Sequence, residues 1–188
     1  MTKRELPTPK TLRKLLRYKP DTGKLFWRER MPDMFKDGKR AKEWKCNNWN
    51  SRFAGKEAFT AINVQGYKVG AIFDMMHRAH RVIWAMETGE WPEFEIDHKD
   101  HDRANNIWDN LKDVTHRVNQ MNATLQSNNT SGVVGVYWDK SREKWMSSIK
   151  VMSENKYLGR FDDIEGAVVA RKKAEIKYGF HKNHGKTA

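Results

Sequence analysis

Between Glu95 and Gln120 the chain sets Asp97-His98 at the end of one short run, Asn110 just ahead of a second, and Asn119 inside a segment of helical character. That spacing constrains the fold more than any other feature. A strand ending at His98, a polar excursion, a second strand near Leu111 to Thr115 and a helix from His116 make a ββα unit. Two paired strands would hold the helix across the loop, so that Asp97 and Asn119 face one point. A carboxylate and an amide oxygen are hard donors suited to Mg²⁺, which keeps some waters and completes its shell with phosphate oxygens. The neighbouring imidazole then has a water to activate. Each of these residues alone is ordinary polar surface; the chemistry lies in the set.

The rest of the chain narrows the partner. Lysine and arginine number 36 against 24 acidic residues in 188, a formal charge of +12, and that balance calls for a polyanion. No apolar run approaches the roughly 20 residues that span a bilayer, and the first residues lack the apolar core of a secretory signal, so a cytoplasmic protein with no membrane partner is expected. The single cysteine, Cys46, excludes an intrachain disulfide and a thiolate zinc cage, so no structural zinc is expected. Eight tryptophans, eight phenylalanines and five tyrosines supply the core area that a chain only 38% hydrophobic needs.

Thr8-Pro9 ahead of Leu12, Leu15 and Leu16 predicts a capped amphipathic helix. A turn at Asp21-Thr22-Gly23 feeds a strand into Trp27, and Met31 to Asn50 reads as a long basic surface loop. Gly66 to Phe73 is strand-like. Ala79, Val82, Ile83 and Met86 share one helical face that stops at Thr88-Gly89, and His80, beside Trp84, reads as structural. The polar stretch 124–132 reads as a linker between an N-terminal region with the ββα unit, 1–123 (ββα core about 94–123), and a second domain over 133–180. Residues 181–188 read as a frayed tail.

Ile96-Asp97-His98, Asn105-Asn106-Ile107-Trp108-Asp109-Asn110-Leu111 and Thr115-His116-Arg117-Val118-Asn119-Gln120 resemble, in that order, the motifs of the HNH nucleases, in particular the homing endonucleases of phages and introns. The resemblance covers about Ala79 to Asn122, and Trp27, Gly55 to Ala58, Gly66-Tyr67 and Arg81 to Trp84 look like the usual lead-in of that branch. It implies a ββα-metal (His-Me finger) fold and metal-dependent hydrolysis of DNA to 5′-phosphate and 3′-hydroxyl ends, in the host cytoplasm if the chain is phage-encoded. Asp97 and Asn119 become ligands of one Mg²⁺ or Mn²⁺ ion, His98 the general base and Asn110 the residue that orients it. An unperturbed imidazole, with a pKa near 6.5, is a usable base at neutral pH. His101 stands where this branch commonly has glycine, a departure that alters the loop or adds a phosphate contact. His116 is a substrate contact, a cap or simply exposed.

Beyond the linker, alternating runs at about 134–139, 144–151 and 155–161, followed by a helical pattern through Tyr178, predict a three-stranded antiparallel sheet packed on one helix. The chain as a whole is therefore α+β. Trp145, Ser147, Ile149 and Val151, with Val136 and Trp138, are assigned to the core face, and Tyr137, Tyr157 and the lysines to the other. Gly135-Val136-Tyr137-Trp138, Lys144-Trp145 and Tyr157-Leu158-Gly159-Arg160-Phe161 make 131–180 similar to the APETALA-type DNA-binding domain of plant ethylene-response factors. That resemblance implies contacts to double-stranded DNA from Tyr137, Arg142, Lys144, Lys150, Tyr157 and Arg160. Val134 and Arg171 depart from the pattern. Two other readings stand beside the nuclease: a catalytically silent DNA-binding regulator, and a protein that binds or cuts RNA.

Overall fold

The structure is a computed structural model that describes residues 5–121, 125, 128–152 and 154–186. Helix α1 (Pro9–Leu15) is capped by Thr8, whose hydroxyl accepts the Thr11 N–H at 3.2 Å. Strands β1 (Leu16–Lys19) and β2 (Lys24–Trp27) form a hairpin joined by β3 (Glu57–Ala58), with helix α2 (Lys42–Phe53) between β2 and β3. A second sheet has the order β4 (Ala61–Ile62), β5 (Lys68–Ile72), β6 (Met75–Arg78) and runs directly into α3 (Ala79–Thr88). Helix α3 ends at Gly89 in the left-handed region, φ 89°. Strands β7 (Glu95–His98) and β8 (Leu111–Val114) pair, and α4 (His116–Gln120) follows.

Contacts divide the chain into two compact units, Met1–His98 with Asp102–Asp113, and Lys99–His101 with Val114–Ala188. Of the stretch read as a linker, 124, 126 and 127 lie outside the described residues, and the remainder falls in the second unit. In the first unit Leu12, Leu15, Leu16, Leu25, Ile72, Val82, Ile83, Ile96 and Leu111 form one core, with Trp84 and Trp108 packed on it.

The segment 31–50 is not wholly the loop its polar, aperiodic sequence predicts: from Lys42 onward it is the helix α2. The helix is held by tertiary contacts rather than by an apolar stripe. Cys46 Sγ and Asn50 Nδ2 both donate to the Arg30 carbonyl, and Asn50 Oδ1 accepts the Arg30 N–H.

In the second unit β9 (Val136–Asp139), β10 (Lys144–Val151) and β11 (Glu154–Phe161) pair antiparallel around β10, and α5 (Ile164–Lys177) contacts all three. Val136, Ser147, Ile149, Ala167 and Ala174 are buried. Trp138, assigned to the core from strand alternation, is 42% exposed and stands edge-on to Trp145 at 5.4 Å, because β9 is an edge strand only four residues long. Arg171, the residue that interrupts the apolar stripe of α5, is itself buried. Its guanidinium donates to Ser148 O at 2.6 Å and Glu175 Oε1 at 3.0 Å, and Nη2 lies 3.1 Å from His184 Nε2. Gly135, at φ +76°, is required beside it, since a Cβ there would lie 2.3 Å from Ser148 O.

The segment after 180 is not frayed over its described length: His181 N–H donates to Met121 O, Asn183 Nδ2 to Lys99 O, and His184 is buried.

Candidate nuclease site

Alternation along β7 turns Ile96 and His98 inward and leaves Asp97 half-buried. His98 enters an aromatic cluster in which its ring lies 5.1 Å from His80, at 86° between planes, and 5.9 Å from Tyr67. His80 is supplied by the buried face of α3, and Tyr67 by the position just before β5. His98 Nε2 lies 3.2 Å from Asn106 Oδ1. The Asn106 amide is oriented independently, because Nδ2 donates to Ala104 O at 3.2 Å. Its oxygen therefore faces the imidazole as an acceptor, which puts the hydrogen of neutral His98 on Nε2 and the lone pair on Nδ1.

Asn106 is fully buried and braced from the N-terminal hairpin. Tyr18 donates its hydroxyl to Asn106 O at 2.7 Å, and Trp108 N–H donates to Pro20 O. Burial, reinforced by Glu87, Asp109 and Asp21, raises the Tyr18 pKa and keeps that hydroxyl a donor. Gly23, at φ +66°, packs so closely that a Cβ would come within 2.5 Å of the Asn106–Ile107 peptide. Asn110 donates Nδ2 to Asn105 O at 2.8 Å, closing the loop one residue ahead of Asn106. The role of Asn106 is the one that sequence reasoning missed; its signal was the Asn105-Asn106 doublet, whose second member only the fold turns onto His98.

His80 is buried on the inward face of α3 that its helical spacing predicts. Burial first, then the positive potential of His98, Arg78 and Arg81, lowers its pKa from 6.5 to about 3. Its Nδ1 is buried with no hydrogen-bond partner among the described residues. Since the folded pKa lies below the unfolded one, the unfolded chain binds the extra proton. Stability from His80 is therefore complete above pH 6.5 and lost as pH falls toward 3, on the order of 5 kcal/mol in total. Urea unfolding followed between pH 7 and 4 should show this loss, and His80→Phe, which keeps a ring but cannot titrate, should flatten it. An equally steep slope in the variant removes His80 as the cause.

Two cations converge on Tyr67. Arg78 and Arg103 lie 4.7 and 5.2 Å from its ring centre, and both donate to Gln65, through Oε1 and the backbone oxygen respectively. Among the described residues neither has a carboxylate partner. A pair of like charges held on one ring next to His98 is suited to phosphate.

The other candidates lie in the second unit. Asn119 is half-buried on α4 and its N–H donates to Thr115 O. His116 is exposed at the first position of α4. His101 is buried at φ 71°, in the left-handed region that favours glycine, so its side chain is retained at a steric cost. Of the six sheet residues, Arg142 and Arg160 both pair with Asp139, at 3.5 and 3.8 Å, and Lys144 with Asp162. Hydrogen bonds from Ser141 first, and Arg142 nearby, hold the Asp139 carboxyl below its ordinary range. Tyr137 and Tyr157 are exposed, Arg160 lies over the Tyr157 ring at 5.8 Å, and Lys150 is exposed without a carboxylate partner among the described residues. Among the described residues, no group of three or more His, Cys, Asp or Glu side chains is placed to hold a metal ion, and no helix is long and apolar enough to cross a membrane.

Residues 77–121 match the sequence family described as HNH endonuclease. The chain is also 34% identical over 73 residues to Protein 3.8 of Escherichia phage T7, a stretch that covers 38% of this chain and 60% of that protein. No solved structure matches. Residues 77–121, which contain His98, Asn106, Asn110 and Asn119, are therefore similar to the HNH endonuclease family, and part of the chain is similar to a phage protein.

Proposed function

We propose that the protein is a metal-dependent DNA endonuclease of the homing type, acting on double-stranded DNA in a host cytoplasm. The observation that carries this is the His98–Asn106 contact inside the matched segment, which leaves a buried imidazole with Nδ1 as its basic nitrogen. His98 takes a proton from water as the water oxygen bonds to phosphorus and the bond from phosphorus to O3′ breaks; O3′ takes a proton from solvent, leaving a 5′-phosphate and a 3′-hydroxyl. Asn106 fixes the tautomer, and Asn110 holds the loop that carries Asn106. Arg78 and Arg103 hold the backbone beside the cut.

Asp97 and Asn119 would supply oxygen donors to one Mg²⁺ or Mn²⁺ ion, the donor type that such hard cations take. When bound, that ion supplies positive charge to the phosphate oxygens and to the departing O3′. The domain boundaries belong to the same proposal: a nuclease module over 1–123 and a DNA-binding module over 133–180. In the second module Tyr137, Lys150 and Tyr157 are the contacts ready for DNA, while Arg142, Lys144 and Arg160 must exchange a carboxylate for phosphate. Those exposed ion pairs are individually weak, so the exchange costs little.

Plasmid nicking tests the reading. Wild-type chain should cut with Mg²⁺ and not after chelation, and matched titrations with RNA at equal salt should show weaker binding. Asn119→Ala removes one oxygen ligand and leaves His98 in place, so its lost activity should recover in part as Mg²⁺ is raised. Wild-type metal dependence in that variant overturns the ligand assignment, and DNA binding without cutting under all metals favours the silent regulator.

A further inference from the structure

Helix α2 and the tip of the β5–β6 hairpin take no part in the chemistry above, yet together they border a half-open cavity of about 410 Å³ lined by Trp27, Arg30, Trp49, Phe53, Phe73 and Asp74, with Ala71 beside them. Its volume falls in the roughly 300–1,000 Å³ range of small-molecule sites. Trp49 and Phe53, one turn apart on α2, hold their rings 5.3 Å from each other, and Trp27 stands edge-on to Trp49 at 5.6 Å. The Arg30 guanidinium lies 3.8 Å from the Trp49 ring centre.

Three features separate this cavity from an ordinary satellite of the core. Arg30 Nε is buried and has no hydrogen-bond partner among the described residues, and burial lowers the guanidinium's pKa. A desolvated donor of that kind calls for an acceptor brought by a ligand. Phe73 and Asp74 form a two-residue turn between the paired Ile72 and Met75, with φ of 49° and 58°. Such a turn favours glycine and asparagine. Phenylalanine there is strained, and its ring, 57% exposed, gains little burial in return. The chain leading into and along α2 is also basic: Lys36, Lys39, Arg40, Lys42, Lys45 and Arg52 precede or lie on the helix, and none forms an ion pair among the described residues.

We infer that this cavity receives a nucleobase unstacked from the DNA, with Phe73 entering the base stack and the basic side chains around α2 holding the backbone. The inference deepens the nuclease reading and rests on it. A base offers a flat π face to Phe73 and to the guanidinium plane, and ring nitrogen or carbonyl acceptors to Arg30 Nε. An aliphatic side chain or lipid tail supplies neither. Strand β5 sets the distance from the cut. Tyr67, just before β5, touches His98, and Phe73, just after it, is six residues on. At about 3.4 Å per residue that is at most about 20 Å, or about six base pairs of DNA.

The test uses a duplex spanning a mapped cleavage site, with 2-aminopurine placed at one position at a time over about six base pairs on each side. It is bound to full-length chain carrying His98→Ala, so that the DNA stays intact. Fluorescence should rise several-fold at one position. Adding Phe73→Asn or Arg30→Gln should abolish the rise, and Phe73→Asn should weaken binding about tenfold to a hundredfold, the range for losing one base–aromatic stack. Because asparagine tolerates the left-handed turn, Phe73→Asn should also raise the melting temperature, an effect that a purely structural Phe73 would not give. No brightening at any position of a duplex that wild-type chain binds and cuts, or unchanged brightening in both variants, overturns the inference and leaves the nuclease reading intact. A melting temperature lowered by Phe73→Asn overturns the strain argument. Wild-type chain that neither binds nor cuts DNA overturns the nuclease reading, and this one with it.

Discussion

His98→Ala lowers cleavage by at least about a hundredfold at saturating DNA, the lower range for losing a positioned base, while DNA affinity changes little. The size follows from what surrounds the imidazole. His98 is 4% exposed, packed on His80 and Tyr67, and held through Nε2 by an asparagine whose own orientation is fixed by Ala104 O. Among the described residues around it, His80 cannot substitute, because its lone pair is buried and its pKa, about 3, makes it a poor base. Removing a buried ring also leaves a cavity, so the variant's melting curve should be measured alongside its rate. A folded His98→Ala chain that cuts near the wild-type rate would falsify the assignment of the base.

The largest stability effect is expected at Arg171. Arg171→Ala should cost about 3 kcal/mol or more in urea unfolding, in the range for removing one member of a buried ion pair. The guanidinium is 2% exposed and joins three partners that otherwise do not meet: Glu175 on α5, the Ser148 carbonyl on β10 and His184 near the C-terminus. Lys172 keeps one contact to Glu175 at 2.8 Å, which moderates the loss. Arg171→Lys should recover only part of it, since an ammonium cannot reproduce the planar fork. Arg171→Met combined with Glu175→Leu should be more stable than Arg171→Ala, because the second change removes the stranded carboxylate. A cost below about 0.5 kcal/mol for Arg171→Ala would show that the network carries no net stability.

Helices α1 and α3 were legible because their signals are local. Thr8-Pro9 caps and starts α1, Gly89 ends α3, and apolar residues at helical spacing lie between. Helix α2 was not, since among its residues only Cys46 is buried and the contacts that fix it run to Arg30, which precedes it by many residues. Trp138 was misassigned because alternation predicts which face a side chain takes, while the length and edge position of β9 decide how much of that face is covered. The chain beyond 180 looks like a tail on composition alone. Its buried His184 depends on a guanidinium 13 residues earlier.

The sequence by itself determined helices α1 and α3, the basic charge and the resemblance carried by the segment with Asp97, His98, Asn110 and Asn119, because spacing, capping and composition act within a few residues or on the chain as a whole. Only the tertiary structure decided that Asn106 holds His98, that the N-terminal hairpin braces Asn106, and that Arg171 belongs inside. Each depends on a hydrogen bond between residues 8 to 88 positions apart, and such a partner is chosen by which surfaces the core brings together, which no local pattern records.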